Sequence, residues 1–341
     1  MPFDRLLDLF RRKPRHDTSN QGRHGPVTHV VILDGTMSTL KAGCETNAGL
    51  TYNLLKRMRG AELNIYYEAG LQWRDWRSGV DVLLGRGINR QIKRAYGTLA
   101  GRYQPGDRIF LIGFSRGAFA VRSLAGVIDR VGLIKRDHAT VRAVRQAYRL
   151  YRGDQKSPAI EAFHKAYCHD HTEIDTVAVW DTVKALGLTL PVLWRLTAKD
   201  HAFHSARLGK SVGAGYQALA LHETRSAFWP ELWQTRPGYE GHMEQVWFRG
   251  IHADVGGQVA SNLAARPLSN IPLCWMLDKL EARGLQLPDG WREEFPMDID
   301  APGISSWTGS GKLFLARSTR VVGADPSEVI HPSVPKDLYP D

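Results

Sequence analysis

One stretch of the chain constrains the fold more than any other, because apolar residues lead directly into a glycine-flanked serine and then into a helix-like segment. Residues 109–112 (IFLI) indicate a short buried strand, and small and apolar residues recur at helical spacing over 115–128. Between them stands the pentad GFSRG at 113–117. A strand, a sharp turn and a helix are what a nucleophile elbow requires, with Gly113 and Gly117 letting two backbones pass closely. A serine that only caps the helix is the alternative.

Strand and helix patterns alternate along the chain from residue 27. VTHVVILDGT indicates a buried strand that ends in Asp-Gly, TNAGLTYNLLKRM a helix with Thr46 as N-cap, and LNIYY a second strand. IDTVAVW and EQVWFRGI indicate further strands. This alternation predicts an α/β fold, with a mostly parallel sheet covered by helices on both faces.

The predicted organisation is one catalytic domain behind a short tail. We expect residues 1–26 to form a flexible basic segment, with a short interfacial helix at its start as the alternative. Residues 27–341 then form a single domain with helical insertions at about 130–170 and 185–240. The sequence has no run of eighteen apolar residues and no apolar signal-peptide core, which predicts a chain that is cytoplasmic as synthesised.

The net charge of +10 directs attention to anionic partners, such as phospholipid head groups or nucleic acid. The densest basic stretch, residues 136–152, has the pattern of an amphipathic helix with a basic face. A solvated helix face is the plainer interpretation. Three widely spaced cysteines give no disulfide framework.

Three residues with complementary chemistry follow three predicted strands. Ser115 follows the first, Asp181 follows IDTVAVW, and His252 follows EQVWFRGI. Ligands gather at the carboxyl ends of parallel strands, and Ser, Asp, His is the chain order of the α/β-hydrolase triad. In such a triad histidine takes the serine proton and the acid orients the imidazole. Asp181 as a helix cap and His252 as a turn histidine are the alternatives.

An oxyanion hole needs two donors aimed at the tetrahedral oxygen. The backbone N–H of Arg116 is the first candidate, and the loop at Gly35 and Thr36 is expected to supply the other. We expect Asp34 to hold that loop by accepting hydrogen bonds from backbone N–H groups.

Asp254 stands two residues after the candidate histidine. It is expected to shape the Gly256-Gly257 turn, and it is also an alternative triad acid.

An apolar run follows the candidate acid and contains Leu186, Leu193 and Trp194. It suits either core packing or the wall of an acyl pocket beside the nucleophile.

Five motifs in order carry a resemblance to a known family. VVILDGT, GFSRGAFAVRSLAG, VAVWDTV, ALALHETRSAFWPELW and VWFRGIHADVGG, within about residues 27–285, resemble the α/β-hydrolase family that includes the catalytic domain of type VI secretion phospholipase effectors. The resemblance implies an esterase triad of Ser115, Asp181 and His252 and a glycerophospholipid or related acyl-ester substrate. Ser38, His222 and Gln258 depart from the pattern that the family usually has.

These observations predict a serine esterase of phospholipase A type that uses no cofactor and no metal. The cluster HKAYCHDH at 164–171 fits no standard zinc spacing. The expected partners are a lipid or acyl ester, a peripheral membrane surface, and a delivery or immunity protein if the chain is exported as an effector. The alternative is a catalytically silent module that binds anionic membrane or nucleic acid, which gives no reason for the three triad candidates to meet.

Overall fold

The structure is a computed structural model that describes residues 15–18, 25–58, 62–70, 86–154, 156–183, 206–260, 262–307 and 314–339. The strands are β1 (Arg15–Thr18), β2 (Thr28–Leu33), β3 (Leu63–Glu68), β4 (Arg108–Phe114), β5 (Ile174–Trp180), β6 (Val212–Ala220), β7 (His242–Phe248) and β8 (Glu328–Ile330). The α-helices are α1 (Asn47–Leu55), α2 (Arg86–Ala100), α3 (Arg116–Val131), α4 (Val141–Arg152), α5 (Pro158–Tyr167), α6 (His252–Gly256) and α7 (Arg266–Ala282).

The described strands form one sheet in the order β1-β3-β2-β4-β5-β6-β7-β8. Only β1 runs antiparallel to its neighbour, and β2 to β8 are parallel to one another. The predicted α/β class, with its mostly parallel sheet, is confirmed. Because the strands that precede the candidate triad residues are β4, β5 and β7, the carboxyl ends that carry those residues meet at one edge.

Two apolar layers cover the two faces of the sheet. Ile109 and Leu111 of β4 lie in one layer with residues of α2, α3 and α4. Phe110 and Ile112 alternate with them and lie in the other layer, with residues of α1 and α7. Burial on both faces explains why β4 is an unbroken apolar run rather than an alternating pattern.

The helix start at Thr46 agrees with the sequence. The Thr46 side chain accepts a hydrogen bond from the Gly49 N–H and caps α1, as predicted.

Two parts of the predicted organisation differ in the structure. Residues 15–18, placed in the flexible tail, form β1, because an edge strand needs only backbone pairing with β3 and no apolar pattern. The nine-residue β6 lies inside the stretch 185–240 that was predicted as an insertion.

The sequence of β6 explains why it escaped prediction. VGAGYQALA has few of the β-branched residues that mark strands. Its small residues admit neighbours instead, since a Cβ on Gly215 would lie 2.4 Å from Leu208 Cδ1.

Helix α4 has the predicted amphipathic form, with Val144, Ala147, Tyr148 and Tyr151 buried. Within the described ranges, none of the helices has the length and apolar character needed to cross a membrane.

Candidate active site

The turn between β4 and α3 holds Ser115 in a conformation that few residues adopt. Its φ of 57° and ψ of −121° lie outside the helical region, and its N–H donates to the Trp180 carbonyl at 3.0 Å. The flanking glycines permit this path. A Cβ on Gly117 would stand 2.0 Å from the Leu33 carbonyl oxygen, and one on Gly113 would stand 2.8 Å from the backbone of Ala118. Strain of this kind is characteristic of functional turns.

The side chain of Ser115 makes no capping hydrogen bond to α3. Its Oγ instead lies 2.8 Å from Nε2 of His252, the first residue of α6. Both residues are nearly buried, with 5% and 3% of their surfaces exposed. The geometry therefore favours a serine–histidine pair over a helix cap.

The other ring nitrogen of His252 meets the third triad candidate. Nδ1 lies 2.5 Å from Oδ2 of Asp181, which follows β5 and is fully buried. Asp181 adopts a φ of 39°, a region that residues other than glycine rarely enter. A hydrogen bond at Nδ1 fixes the imidazole orientation and leaves Nε2 facing the serine.

A partner that the sequence gave no reason to expect holds Asp181. Arg320 places Nη1 2.6 Å from Oδ1 and Nη2 2.9 Å from Oδ2 of the carboxylate. The Ala220 N–H, at the end of β6, also donates to Oδ1 at 3.0 Å. Burial alone would raise the pKa of Asp181, but the Arg320 charge and the contacts with His252 outweigh it and lower that pKa well below its usual range.

A second buried carboxylate lies beside the histidine backbone. Glu223 Oε2 accepts a hydrogen bond from the His252 N–H at 3.2 Å and forms an ion pair with Arg225 at 2.6 Å. Burial raises the pKa of Glu223, but the hydrogen bonds and charge of Arg225 lower it below its ordinary value. Glu223 and Arg225 stand in the ALALHETRSAFWPELW motif, yet the motif gave no hint of this contact.

Two aromatic rings enclose the imidazole of His252. The ring centroids of Phe114 and Phe228 each lie 4.8 Å from that of His252, with the Phe114 ring stacked on it. Phe114 is itself held between two backbone segments, because a Cβ on Gly35 or Gly256 would strike its ring at 2.5 or 1.9 Å. The Phe114 side chain, just before Ser115, thus contacts both the loop after β2 at Gly35 and α6 at Gly256.

The loop after β2 lies against these elements. Asp34 points into the core, where it accepts hydrogen bonds from the Gly35 N–H at 2.6 Å, the Thr46 hydroxyl at 2.8 Å and the Tyr67 hydroxyl at 2.7 Å. We expected Asp34 to hold this loop through backbone N–H groups; one of these three donors is such a group, and the other two are hydroxyls. Burial raises the pKa of Asp34, although these hydrogen bonds oppose the shift.

Of the two loop donors considered for the oxyanion, the Gly35 N–H is already used by Asp34. No acceptor among the described residues takes the Thr36 N–H. Gln258 donates to the Thr36 carbonyl at 3.0 Å and ties this loop to the one that follows α6.

Asp254 makes contacts that differ from those of a triad acid. Its carboxylate accepts hydrogen bonds from the N–H groups of Ile251 at 2.9 Å and Ile304 at 2.8 Å. It thereby shapes the turn before His252 rather than the Gly256-Gly257 turn that follows.

Three groups of candidates complete the account. Arg116 begins α3, where the first N–H groups have no intrahelical acceptor. Leu186, Leu193 and Trp194 lie outside the described residues. Among the residues that the structure does describe, no three His, Cys, Asp or Glu side chains are grouped so as to hold a metal ion.

The assembled groups can carry out acyl transfer. A hydroxyl, an imidazole and a carboxylate are connected in sequence. Proton abstraction from Ser115 by His252 needs only the contact already formed, since the heavy atoms are within the 2.6–3.2 Å range of a general base.

Comparison with known proteins gives a family match and a distant curated relative. Residues 28–279 match the model of the family described as T6SS, Phospholipase effector Tle1-like, catalytic domain. The uncharacterized protein YEL023C of Saccharomyces cerevisiae is 28% identical over 212 residues, which cover 54% of this chain and 31% of that protein. The chain therefore spans about a third of this curated relative.

Solved structures with a similar course of the chain are distant in sequence. The Tle1 effector, solved bound to the VgrG spike of the type 6 secretion system, is 16% identical with a TM-score of 0.39, over 72% of this chain and 57% of its own. An uncharacterized protein from Pseudomonas aeruginosa is 15% identical with a TM-score of 0.44, over 80% of this chain and 49% of its own.

Proposed function

We propose that this chain, which belongs to the family of Tle1-like phospholipase effector catalytic domains, is a serine esterase and cleaves carboxylic esters of phospholipids. Ser115 is the nucleophile, His252 the general base and Asp181 the acid that orients it. The observation that supports this most is the continuous path from Ser115 Oγ to His252 Nε2 at 2.8 Å and from His252 Nδ1 to Asp181 at 2.5 Å. A silent binding module gives no reason for that path.

The reaction proceeds in two half-reactions. His252 takes the Ser115 proton as Oγ attacks the ester carbonyl, and the imidazolium then donates that proton to the departing alcohol, leaving an acyl-enzyme. Water attacks the acyl group in the second half, with His252 again accepting and returning a proton. Asp181 stabilises the imidazolium in both halves, because its carboxylate is ionised and bonded to Nδ1.

The oxyanion hole combines two backbone donors. The Arg116 N–H at the start of α3 is the first, as in other nucleophile elbows. We assign the second to Thr36 rather than Gly35, because the Gly35 N–H is bonded to Asp34. The Gln258 hydrogen bond to Thr36 supports this donor by fixing its loop.

Phospholipid is the proposed substrate class because the family is one of phospholipase effectors and the surface suits an anionic bilayer. Arg90, Lys93 and Arg145 line a groove of about 490 Å³ between α2 and α4. Partial burial lowers the pKa of Lys93, and the charges of Arg145 and Arg90 lower it further. A delivery or immunity protein and export by a type VI secretion system complete the proposal.

The test is covalent labelling of Ser115 by a fluorophosphonate probe together with release of fatty acid from phospholipid vesicles. S115A should abolish both signals. S123A is the matched control, because Ser123 is a buried serine of α3, about two turns after Ser115, whose hydroxyl donates to the Phe119 carbonyl at 2.7 Å. Labelling or hydrolysis that persists in S115A would overturn the assignment.

A further inference from the structure

An arginine near the end of the chain is built into the candidate triad. The side chain of Arg320 is 1% exposed, and its guanidinium grips both oxygens of Asp181, at 2.6 and 2.9 Å. The same Nη1 also donates to the Ala220 carbonyl at 2.8 Å. A planar guanidinium that meets a carboxylate through two bonds sets its rotation as well as its position.

The backbone around Arg320 is fastened beside the site. The Ser318 N–H donates to the Thr224 carbonyl at 2.7 Å, and the Ser226 N–H donates to the Ala316 carbonyl at 3.0 Å. The segment 316–320 therefore runs along the loop that carries Glu223 and Arg225. It lies beyond residues 28–279, the part of the chain that the family model matches.

The charges around His252 form two neutralised pairs. The Asp181 carboxylate is hydrogen-bonded to His252 Nδ1 and forms an ion pair with Arg320. The Glu223 carboxylate accepts a hydrogen bond from the His252 N–H and forms an ion pair with Arg225. Asp254, on the same helix, is turned toward the backbone of Ile251 and Ile304. Loss of either arginine would leave the histidine beside an uncompensated buried carboxylate.

We infer that Arg320 is a positioning residue of the triad, which fixes the Asp181 carboxylate against His252 and limits how strongly that carboxylate holds a proton on the imidazole. The inference rests on the proposed function. Both effects follow from the same contact, since the two Nη–O bonds define the plane of the carboxylate and the guanidinium cancels its charge. The segment 316–320, which lies outside the region that the family model matches, thus supplies a residue that positions the triad.

The electrostatic effect has a definite sign. Removal of a positive charge always raises the proton affinity of a neighbouring pair of titrating groups. The Asp181–His252 pair would therefore take up its proton at higher pH in R320Q, and protonated His252 cannot accept the serine proton. A purely structural arginine would lower activity equally at every pH.

The experiment measures kcat/KM against pH for wild type, R320Q and R320K, with a soluble ester. We expect R320Q to lose roughly 10- to 100-fold at neutral pH, within the range of couplings between contacting residues. Its acid limb should move up by about one pH unit. R320K, which keeps the charge without the planar fork, should restore the acid limb but only part of the rate. R317Q is the control, because Arg317 in the same segment contacts Thr224 and Ser306.

A double-mutant cycle tests whether Arg320 acts through Asp181. If Arg320 acts through Asp181, the R320Q change should cost much less in a D181N background than in the wild type, and D181N/R320Q contains no unpaired buried charge. An unmoved acid limb in R320Q, together with additive losses in the cycle, would overturn the inference. Should R320Q not fold, a kcat/KM of R320K equal to that of the wild type would overturn it instead. Absence of Ser115-dependent hydrolysis in the wild type would instead overturn the proposed function.

Discussion

Replacement of Gly117 by alanine would drive a methyl group into the backbone at the end of β2. The new Cβ would lie 2.0 Å from the Leu33 carbonyl oxygen, 2.5 Å from its carbon and 2.6 Å from the Asp34 carbonyl oxygen. None of these atoms belongs to a side chain that can rotate away. The first turn of α3 must therefore separate from β2 by more than about 1 Å, since carbon and oxygen atoms in contact stand about 3.3 Å or more apart.

The displaced turn carries Ser115 and the Arg116 N–H. Overpacking of this kind costs about 1–3 kcal/mol, which for a chain of this size lowers the melting temperature by roughly 1–4 °C. A 1 Å displacement of a catalytic group costs about 100-fold in rate, so we expect G117A to lose more activity than stability.

The assays for G117A are thermal unfolding and hydrolysis of a soluble ester on the same preparation. G97A is the matched control, because a Cβ on Gly97 of α2 would meet only the side chain of Val144, with Cγ2 at 3.4 Å and Cγ1 at 4.0 Å. It should raise the free energy of unfolding by about 0.5–1 kcal/mol, since alanine is the better helix former. The close approach of α3 to β2 would be refuted by a G117A protein with the melting temperature and rate of the wild type.

Three further outcomes follow from the site. In ester hydrolysis, S115A and H252A should each lower kcat by roughly five to six orders of magnitude, and D181N should lower it by about four. A larger loss in D254N than in D181N would mean that Asp254, and not Asp181, is the triad acid. Q258A should lower the acylation rate more than substrate binding, because it releases the Thr36 loop, and pre-steady-state burst kinetics would show whether binding suffers instead. L193A/W194A should weaken hydrolysis of long acyl esters more than of acetate, at about 0.8 kcal/mol for each buried methylene, and equal losses would assign the segment to the fold.

The local sequence pattern was sufficient to predict the site residues that directly follow a strand. The apolar run of β4, the two glycines of the elbow and the residues after β5 and β7 identified Ser115, Asp181 and His252, and the structure brings these three side chains together. The parallel sheet makes this possible, because it turns the order of strand ends along the chain into proximity in space.

The rest of the site depends on contacts between distant parts of the chain. Arg320 stands 139 residues after Asp181, in a segment with no strand or helix pattern, so nothing near it in the sequence marks its partner. Glu223 and Arg225 form a local ion pair, but their approach to His252 depends on the position of β6, which the sequence did not reveal. The choice of Thr36 over Gly35 likewise needed the Asp34 hydrogen bond.

The two fully buried carboxylates of this region should respond to pH in opposite directions. Asp181 has a pKa lowered against its burial by Arg320 and His252, whereas burial raises the pKa of Asp34, whose donors are neutral. A lowered folded-state pKa stabilises the protein above the unfolded value of about 3.8, and this contribution is lost as the pH falls toward the folded value. A raised folded-state pKa stabilises the protein below a pH of about 3.8, and this contribution is lost as the pH rises through the folded-state pKa.

Chemical denaturation of wild type, D34N and D181N from pH 3 to pH 7 separates the two effects. Relative to wild type, D34N should become more stable as the pH rises, because the asparagine carries no charge that must be buried. Relative to wild type, D181N should become less stable over the lower part of the same range, because there the unfolded wild type loses the Asp181 proton while the folded carboxylate, paired with Arg320, is already ionised. Parallel curves for D34N and wild type would mean that the hydroxyls of Thr46 and Tyr67 fully compensate the buried charge of Asp34. Parallel curves for D181N would contradict the ionised pair on which the positioning role of Arg320 depends.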